Sequence, residues 1–431
     1  MAKPSATNCN YEFGHAILGP ILAAFALLLV REAERRKLRR LAFVARDGDL
    51  LREATRRLLR HIPVSAAPEL AYVHLSRRAT ALPAMDAMNA AAIEAAAAVR
   101  AGPLTLRMLL EFHGLSANRL RNRLGKHNLS LDTRISSPSR LSDLFADEEF
   151  QADVATSIAE QRELLSSYLA EHDLQAGSST SLVDIGWRGS IQNNLSKAFP
   201  GKLTGLYLGL WSEDNCTDSF PATAFGLICD QRRGRDLREG AAWYAAHLLE
   251  AICRAPEGTT LSYREVDGRV IPMLAADGSR SAEIQSSAAV EDIRTGILDR
   301  IEELARDTSW SCQTDDQIRR TVQDSLFQLA FFPSPTAIAI GKSLVHTEGH
   351  ASGWSTPLIA SGPHRPLTSP RQWLAGLASP WRAGYVCATG GTGAAWLFAC
   401  AESVLGCFPP KARRRLASLA RRWAGLSNVQ R

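Results

Sequence analysis

Two segments of the chain constrain its fold more than anything else: LAFVARDGDLL at 41–51 and SLVDIGWRGSIQNNL at 181–195. Each opens with an apolar run too short for a core helix and suited to a buried strand. Each run ends in a turn of glycine and charged residues, and each turn leads into a segment with helical period. A buried strand that feeds a helix and is followed by another buried strand needs a crossover, which is how parallel sheets are built.

The remaining sequence fits around these two units. Residues 12–37 read as one long helix and LRRLAFVA (38–45) as a strand. LLREATRRLLRH is an amphipathic helix with Leu50, Leu51, Ala54, Leu58 and Leu59 on one face. LAYVHLS (70–76) reads as a second strand, residues 84–175 as a helical insertion, and LTGLYLGLWS (203–212) as a strand after the helix SIQNNLSKAF. Beyond residue 231 the pattern is helical apart from TLSYREVDGRVIPML, whose Asp-Gly pair between apolar alternations signals a tight hairpin. The expected architecture is α/β: a parallel-sheet domain over 11–230 carrying the insertion, then a mostly helical region over 231–431. Strands near 41–45, 71–75, 181–185 and 204–210 should share one sheet.

Composition narrows the function. The net charge is +6, but aromatics are only 7% and no basic stripe is interleaved with them, so nucleic acid is not an expected partner. The eight cysteines include no CxxC pair, which reads as reduced thiols in a cytoplasmic protein. The apolar run Ala16–Val30 is short for a membrane span and has no basic segment before it, so a buried helix is expected.

In an open parallel sheet, ligands bind beyond the carboxyl ends of the strands. Asp184 ends one apolar run, and Gly186, Trp187, Arg188 and Gly189 follow, with Ser190 placed to cap the next helix. Backbone N–H groups there can cradle a phosphate, Arg188 can add charge-assisted bonds, and Gln192 lies in the first turn. Arg46, Asp47, Gly48 and Asp49 form the turn after the other run, and Ser76, Arg77 and Arg78 follow the second strand. Glu250 stands in the apolar helix AAWYAAHLLEAIC, where an acid needs a partner unless it reaches the surface. His247, three residues earlier on the same face, reads as structural.

Taken together, EFGHAILGPILAAF, FVARDGDLL, HLSRRA, VDIGWRGSIQ, LYLGL and HLLEAICRAPEG resemble large proteins of bacterial capsule and O-antigen loci described as HAD-superfamily hydrolases. The resemblance runs over roughly residues 11–350, through FFPSPTAIAIGKSLVHTEG. In that family a separate N-terminal segment with a DxFDT-type motif supplies the phosphatase domain, and this sequence has no such motif. It is similar to the partner module, which is phosphoribosyltransferase-like and linked to ribofuranosyl transfer. The resemblance makes ARDGDLL the pyrophosphate loop and VDIGWRGSIQ the loop for 5-phosphoribosyl-1-pyrophosphate (PRPP), with Asp47 and Asp184 as catalytic and Mg²⁺-binding residues. One departure is plain: that loop usually carries two adjacent acids, and here Val183 and Ile185 flank a single Asp184.

The function expected from the resemblance is PRPP-dependent transfer to a glycan or lipid-linked saccharide in surface polysaccharide synthesis, with a separate HAD phosphatase as a further partner. Asp184 would hold the ribose hydroxyls, residues 186–190 the 5-phosphate, and Arg46, Asp47 and Gly48 the pyrophosphate with its Mg²⁺. Two other readings stand beside it. The Asp47-x-Asp49 pair after a strand suits a HAD-like phosphohydrolase with Asp47 as nucleophile, and the missing second acid suits a non-catalytic scaffold. KARRRLASLARRWAGL, with Leu416, Leu419 and Trp423 on one face among Arg413, Arg414, Arg415, Arg421 and Arg422, reads as a helix docked on the body or, as a basic amphipathic helix, a peripheral contact with the inner membrane surface.

Overall fold

The computed structural model describes residues 8–97, 103–174, 179–201, 203–212, 220–276, 281–347, 355–360, 373, 376–377, 379–406, 408 and 412. Five strands form one sheet: β1 (Arg40–Val44), β2 (Glu69–Val73), β3 (Thr180–Trp187), β4 (Thr204–Leu210) and β5 (Ala224–Asp230). Their spatial order is β2-β1-β3-β4-β5, and every neighbouring pair is parallel. The four expected strands are therefore in one sheet. AFGLICD (224–230) supplies a fifth that the sequence pattern did not reveal.

Burial on both faces explains the apolar runs. Along β1, Leu41 and Phe43 enter the large core on one face, while Ala42 and Val44 enter a smaller core on the other. The large core is covered by α1 (Cys9–Arg35) and α2 (Gly48–Leu59). It continues without a break into residues beyond 230, including Ile293, Ile297, Ile301, Leu326 and Phe331. The division expected at 230 is thus not a division of the core.

The helical stretch α1 is long and apolar enough to cross a membrane by length and composition, more than the run Ala16–Val30 indicated, and most of its apolar window is buried. Pro20 has no N–H to give to the carbonyl four residues back. The chain passes this point with a π turn over Gly14–Leu18, in which Gly19 N–H bonds to Gly14 O. Its closest neighbour is a later helix, Ser287–Arg306. A Cβ on Gly296 would lie 2.2 Å from Tyr11 O, and one on Gly14 would lie 2.0 Å from Ile293 O.

Between β2 and β3 the described residues include helices α3 (Arg77–Ala81) and α4 (Glu148–Glu171), with others at Ala90–Ala97, Leu106–Phe112 and Ala117–Lys126. Leu82, Met88, Leu109, Leu110, Leu120, Phe150 and Val154 give this part a core of its own. The hairpin of β6 (Thr260–Val266) and β7 (Arg269–Leu274) turns at Asp267 and Gly268, both at positive φ, as a two-residue turn of this twist requires. The basic segment KARRRLASLARRWAGL lies outside the described residues except for Ala412.

The backbone contact between α1 and the helix Ser287–Arg306 sets a first expectation. Gly296→Ala should lower unfolding free energy by about 1–3 kcal/mol, because backbone and not a flexible side chain must yield. Gly125→Ala, in a helix where an added Cβ meets nothing within 4 Å, should cost nothing. Urea denaturation of the two variants checks both, and equal stabilities would remove the close-packing argument.

Candidate active site

The sheet order places β1 and β3 side by side, with the chain running outward to β2 on one side and to β4 and β5 on the other. This is a topological switch point, where the loops after adjacent strands diverge and leave a crevice. The turn that holds Asp47 follows β1 there, and Asp184 lies within β3, three residues before its end. Arg77, at the start of α3 beyond the end of β2, is the third contributor. The fourth is α6 (Ala246–Cys253), which brings Glu250.

Three carboxylates thus meet. Burial first, and the charge of Glu250 second, push the Asp47 carboxyl up to about 6 against the opposing pull of Arg254, Arg46 and Arg77. Burial and the charge of Asp47 raise Asp184 well above the usual carboxylate range, although Ile185 N–H donates to Asp184 Oδ1 at 2.8 Å. Glu250 goes the other way: against the cost of burial, the hydrogen bond to His247 and the electrostatic pull of His247, His346 and Arg77 hold it at about 2. Its Oε1 accepts from Trp187 Nε1 at 2.8 Å, and its Oε2 lies 3.2 Å from His247 Nδ1. His346 joins from β8 (Val345–Thr347), its ring 4.1 Å from that of His247. Burial and the neighbouring His247 push His346 down to about 3, so it is uncharged at neutral pH.

Around these groups lies a frame of ion pairs. Glu283 receives Arg46 at 2.8 Å and also pairs with Arg254, all three side chains being about nine-tenths buried. Both guanidiniums hold Glu283 below the carboxylate range against its burial. Arg46 also donates to Glu257 O at 3.3 Å, and its own carbonyl accepts from Ala255 N–H. Arg294 donates to Asp49 at 2.5 Å, and Arg52 reaches the same carboxylate at 3.4 Å. The peptide between Ala45 and Arg46 is cis.

Several residues expected in the site have other work. Ser190 does not cap its helix α5 (Ser190–Ala198): the cap is Gly189, left-handed at φ 61°, and no side chain bonds to it. Gln192 is buried and spends its amide on Leu203 O, Thr223 and Tyr207. Ser76 caps α3 through Ala79 N–H and donates to Thr260 O. Gly48 is needed for packing, since a Cβ there would sit 2.8 Å from the Phe43 backbone. Gly186 and Trp187 belong to β3, so the loop proper is Arg188 and Gly189, and Trp187 is a buried wall whose indole orients Glu250. Gly186, at φ 109°, clears Gly209 O, which a Cβ would approach to 2.5 Å. Asp49 is held by its arginines, and burial lowers Arg78. Arg77 and Arg188 form no ion pair among the described residues.

The residues that the sequence pattern missed are Arg254, Glu283, Arg294 and His346. Arg254 follows Glu250 by one helical turn and was within reach, whereas the other three come from segments with no periodic link to the strands. Compared with known proteins, the chain matches no family model and no curated protein.

The raised Asp47 carboxyl has a consequence for stability. Below about pH 4 Asp47 is protonated both folded and unfolded. As pH rises toward 6 the unfolded chain loses the proton first, so folding weakens. Asp47→Asn should therefore stabilise the ligand-free protein at pH 8, on the order of 2 kcal/mol, and leave it unchanged near pH 4. Thermal denaturation at the two pH values checks this; destabilisation at pH 8 would mean that Asp47 is fully paired.

Proposed function

We propose that the protein is a PRPP-dependent transferase acting on a saccharide acceptor. The observation that carries this reading is that adjacent strands bring together Asp47, after β1, and Asp184, within β3, each raised by burial and by acidic neighbours, near an exposed Arg77 that forms no ion pair among the described residues. Two such carboxylates are best relieved by a divalent cation, and an unpaired guanidinium beside them suits a polyanion. A diphosphate chelating Mg²⁺ answers both.

In this reading Asp47 and Asp184 hold Mg²⁺ through hard oxygen ligands. Bound between those carboxylates, Mg²⁺ would supply neutralisation of the charge on the departing pyrophosphate. The uncapped N-terminus of α5, with Arg188 beside it, receives the 5-phosphate. Arg77 faces the pyrophosphate, and Asp184 orients the ribose hydroxyls. The bond from C1 to the pyrophosphate oxygen breaks with its electron pair leaving on pyrophosphate. The acceptor hydroxyl forms the new bond to C1, and its proton passes to the released pyrophosphate. Positioning and electrostatics supply most of the catalysis. The two arginines bound to Asp49 count against the phosphohydrolase, which needs a second free acid near Asp47.

Calorimetric titration with PRPP and Mg²⁺ tests this reading. The full-length chain should bind PRPP only with the metal present, and Arg77→Ala and Arg188→Ala should each weaken binding about tenfold or more. Asp184→Asn should abolish pyrophosphate release in the presence of a saccharide acceptor while the fold survives. Absence of PRPP binding, or a phosphoryl group trapped on Asp47, would end the transferase reading.

A further inference from the structure

We propose that His247, Glu250 and His346 form a site for a borderline divalent cation of the zinc class, beside the Asp47–Asp184 pair and distinct from it. His247 and Glu250 are three residues apart on α6, which puts both on one face. β8 brings His346 to the same point from much later in the chain. The candidate ligand atoms of all three lie within 4.8 Å of one another. A tetrahedral site with bonds of about 2.0–2.2 Å needs ligand atoms roughly 3.3–3.6 Å apart. The His247–Glu250 edge, at 3.2 Å, is already close to that length.

Three further observations point to a ligand and not to a plain ion pair. First, His346 Nδ1 is buried with no hydrogen-bond partner. A buried polar atom in that state is costly, and a metal would satisfy it. Second, Glu250 is oriented from behind: Trp187 Nε1 donates to Oε1, which leaves Oε2 on the side of the histidines. A donor behind a carboxylate in this way fixes its orientation toward a metal. Third, the two imidazoles pack at 4.1 Å, an arrangement that two cations would oppose and that two ligands of one metal would favour.

Two imidazole nitrogens and one carboxylate oxygen suit zinc and its neighbours, not Mg²⁺, which prefers oxygen alone. Three protein ligands leave a fourth position. The side chains of His247 and Glu250 are 37% and 21% exposed, so that position opens to solvent and can take water or an anionic oxygen. Glu250 is hydrogen-bonded to Trp187, which ends the strand that carries Asp184, so the three ligands stand beside the crevice. The proposal does not depend on the transferase reading, and its test uses no PRPP.

The test is titration of the chelator-treated full-length protein with Co²⁺ alone, read by visible d–d absorption. One Co²⁺ per chain should bind with the spectrum of a four- or five-coordinate site, be displaced by Zn²⁺, and resist millimolar Mg²⁺. His346→Ala should weaken Co²⁺ binding about a hundredfold or more. His172→Ala, a histidine just past the end of α4, should leave it unchanged. If His346→Ala fails to fold by circular dichroism, Glu250→Gln replaces it, since it keeps an oxygen for Trp187 but loses the carboxylate. Absence of a stoichiometric Co²⁺ spectrum, unchanged affinity in the folded His346 or Glu250 variant, or displacement by Mg²⁺ would overturn the proposal.

Discussion

Two buried guanidiniums, Arg46 and Arg254, share one carboxylate, Glu283, and much of the site hangs on that triangle. Arg46 belongs to the turn after β1, Arg254 to the end of α6, and Glu283 to the short helix Ser281–Gln285. The backbone bond from Ala255 N–H to Arg46 O closes the same junction. A buried ion pair of this kind gives little net stability, but losing one member strands the others and costs about 3–5 kcal/mol. Its effect is therefore geometric. It fixes α6 over the end of β1, which is why Glu250 stands near Asp47 at all.

That placement gathers negative charge in a poorly solvated crevice. Asp47 and Asp184 are held where their ionised forms are disfavoured, while Glu250 is stabilised as an anion by a histidine and an indole. Environments that drive neighbouring acids apart in this way mark sites of binding or catalysis more often than of packing. The surrounding arginines are mostly committed to acids of the frame, and Arg77 and Arg188 form no ion pair among the described residues.

The sheet was legible in the sequence because buried parallel strands leave continuous apolar runs, as in LAFV and SLV. The fifth strand was less so: AFGLICD contains a glycine and ends in Asp230, whose pairing with Arg232 only the fold makes plain. The loops were legible as loops, but the jobs of their residues were not. Gly48 and Gly186 looked like openings for a ligand and are openings for neighbouring backbone. Gln192, in the first turn of its helix, turns inward and joins a buried network with the carbonyl of Leu203 and the hydroxyls of Thr223 and Tyr207. His247 read as structural because its second companion, His346, lies on a strand of three residues far along the chain.

The crevice also sets the order in which the chain can be assembled. β1 and β3 pair through residues 40 and 180, so the whole helical insertion lies inside the loop that their pairing closes. Contacts this distant are slow to form, because chain entropy must be lost before they repay it. An insertion with its own core can condense early and bring its two ends into range, shortening the effective loop. The helical block is in this sense an internal tether, whose own core shortens the loop that brings Asp47 and Asp184 together.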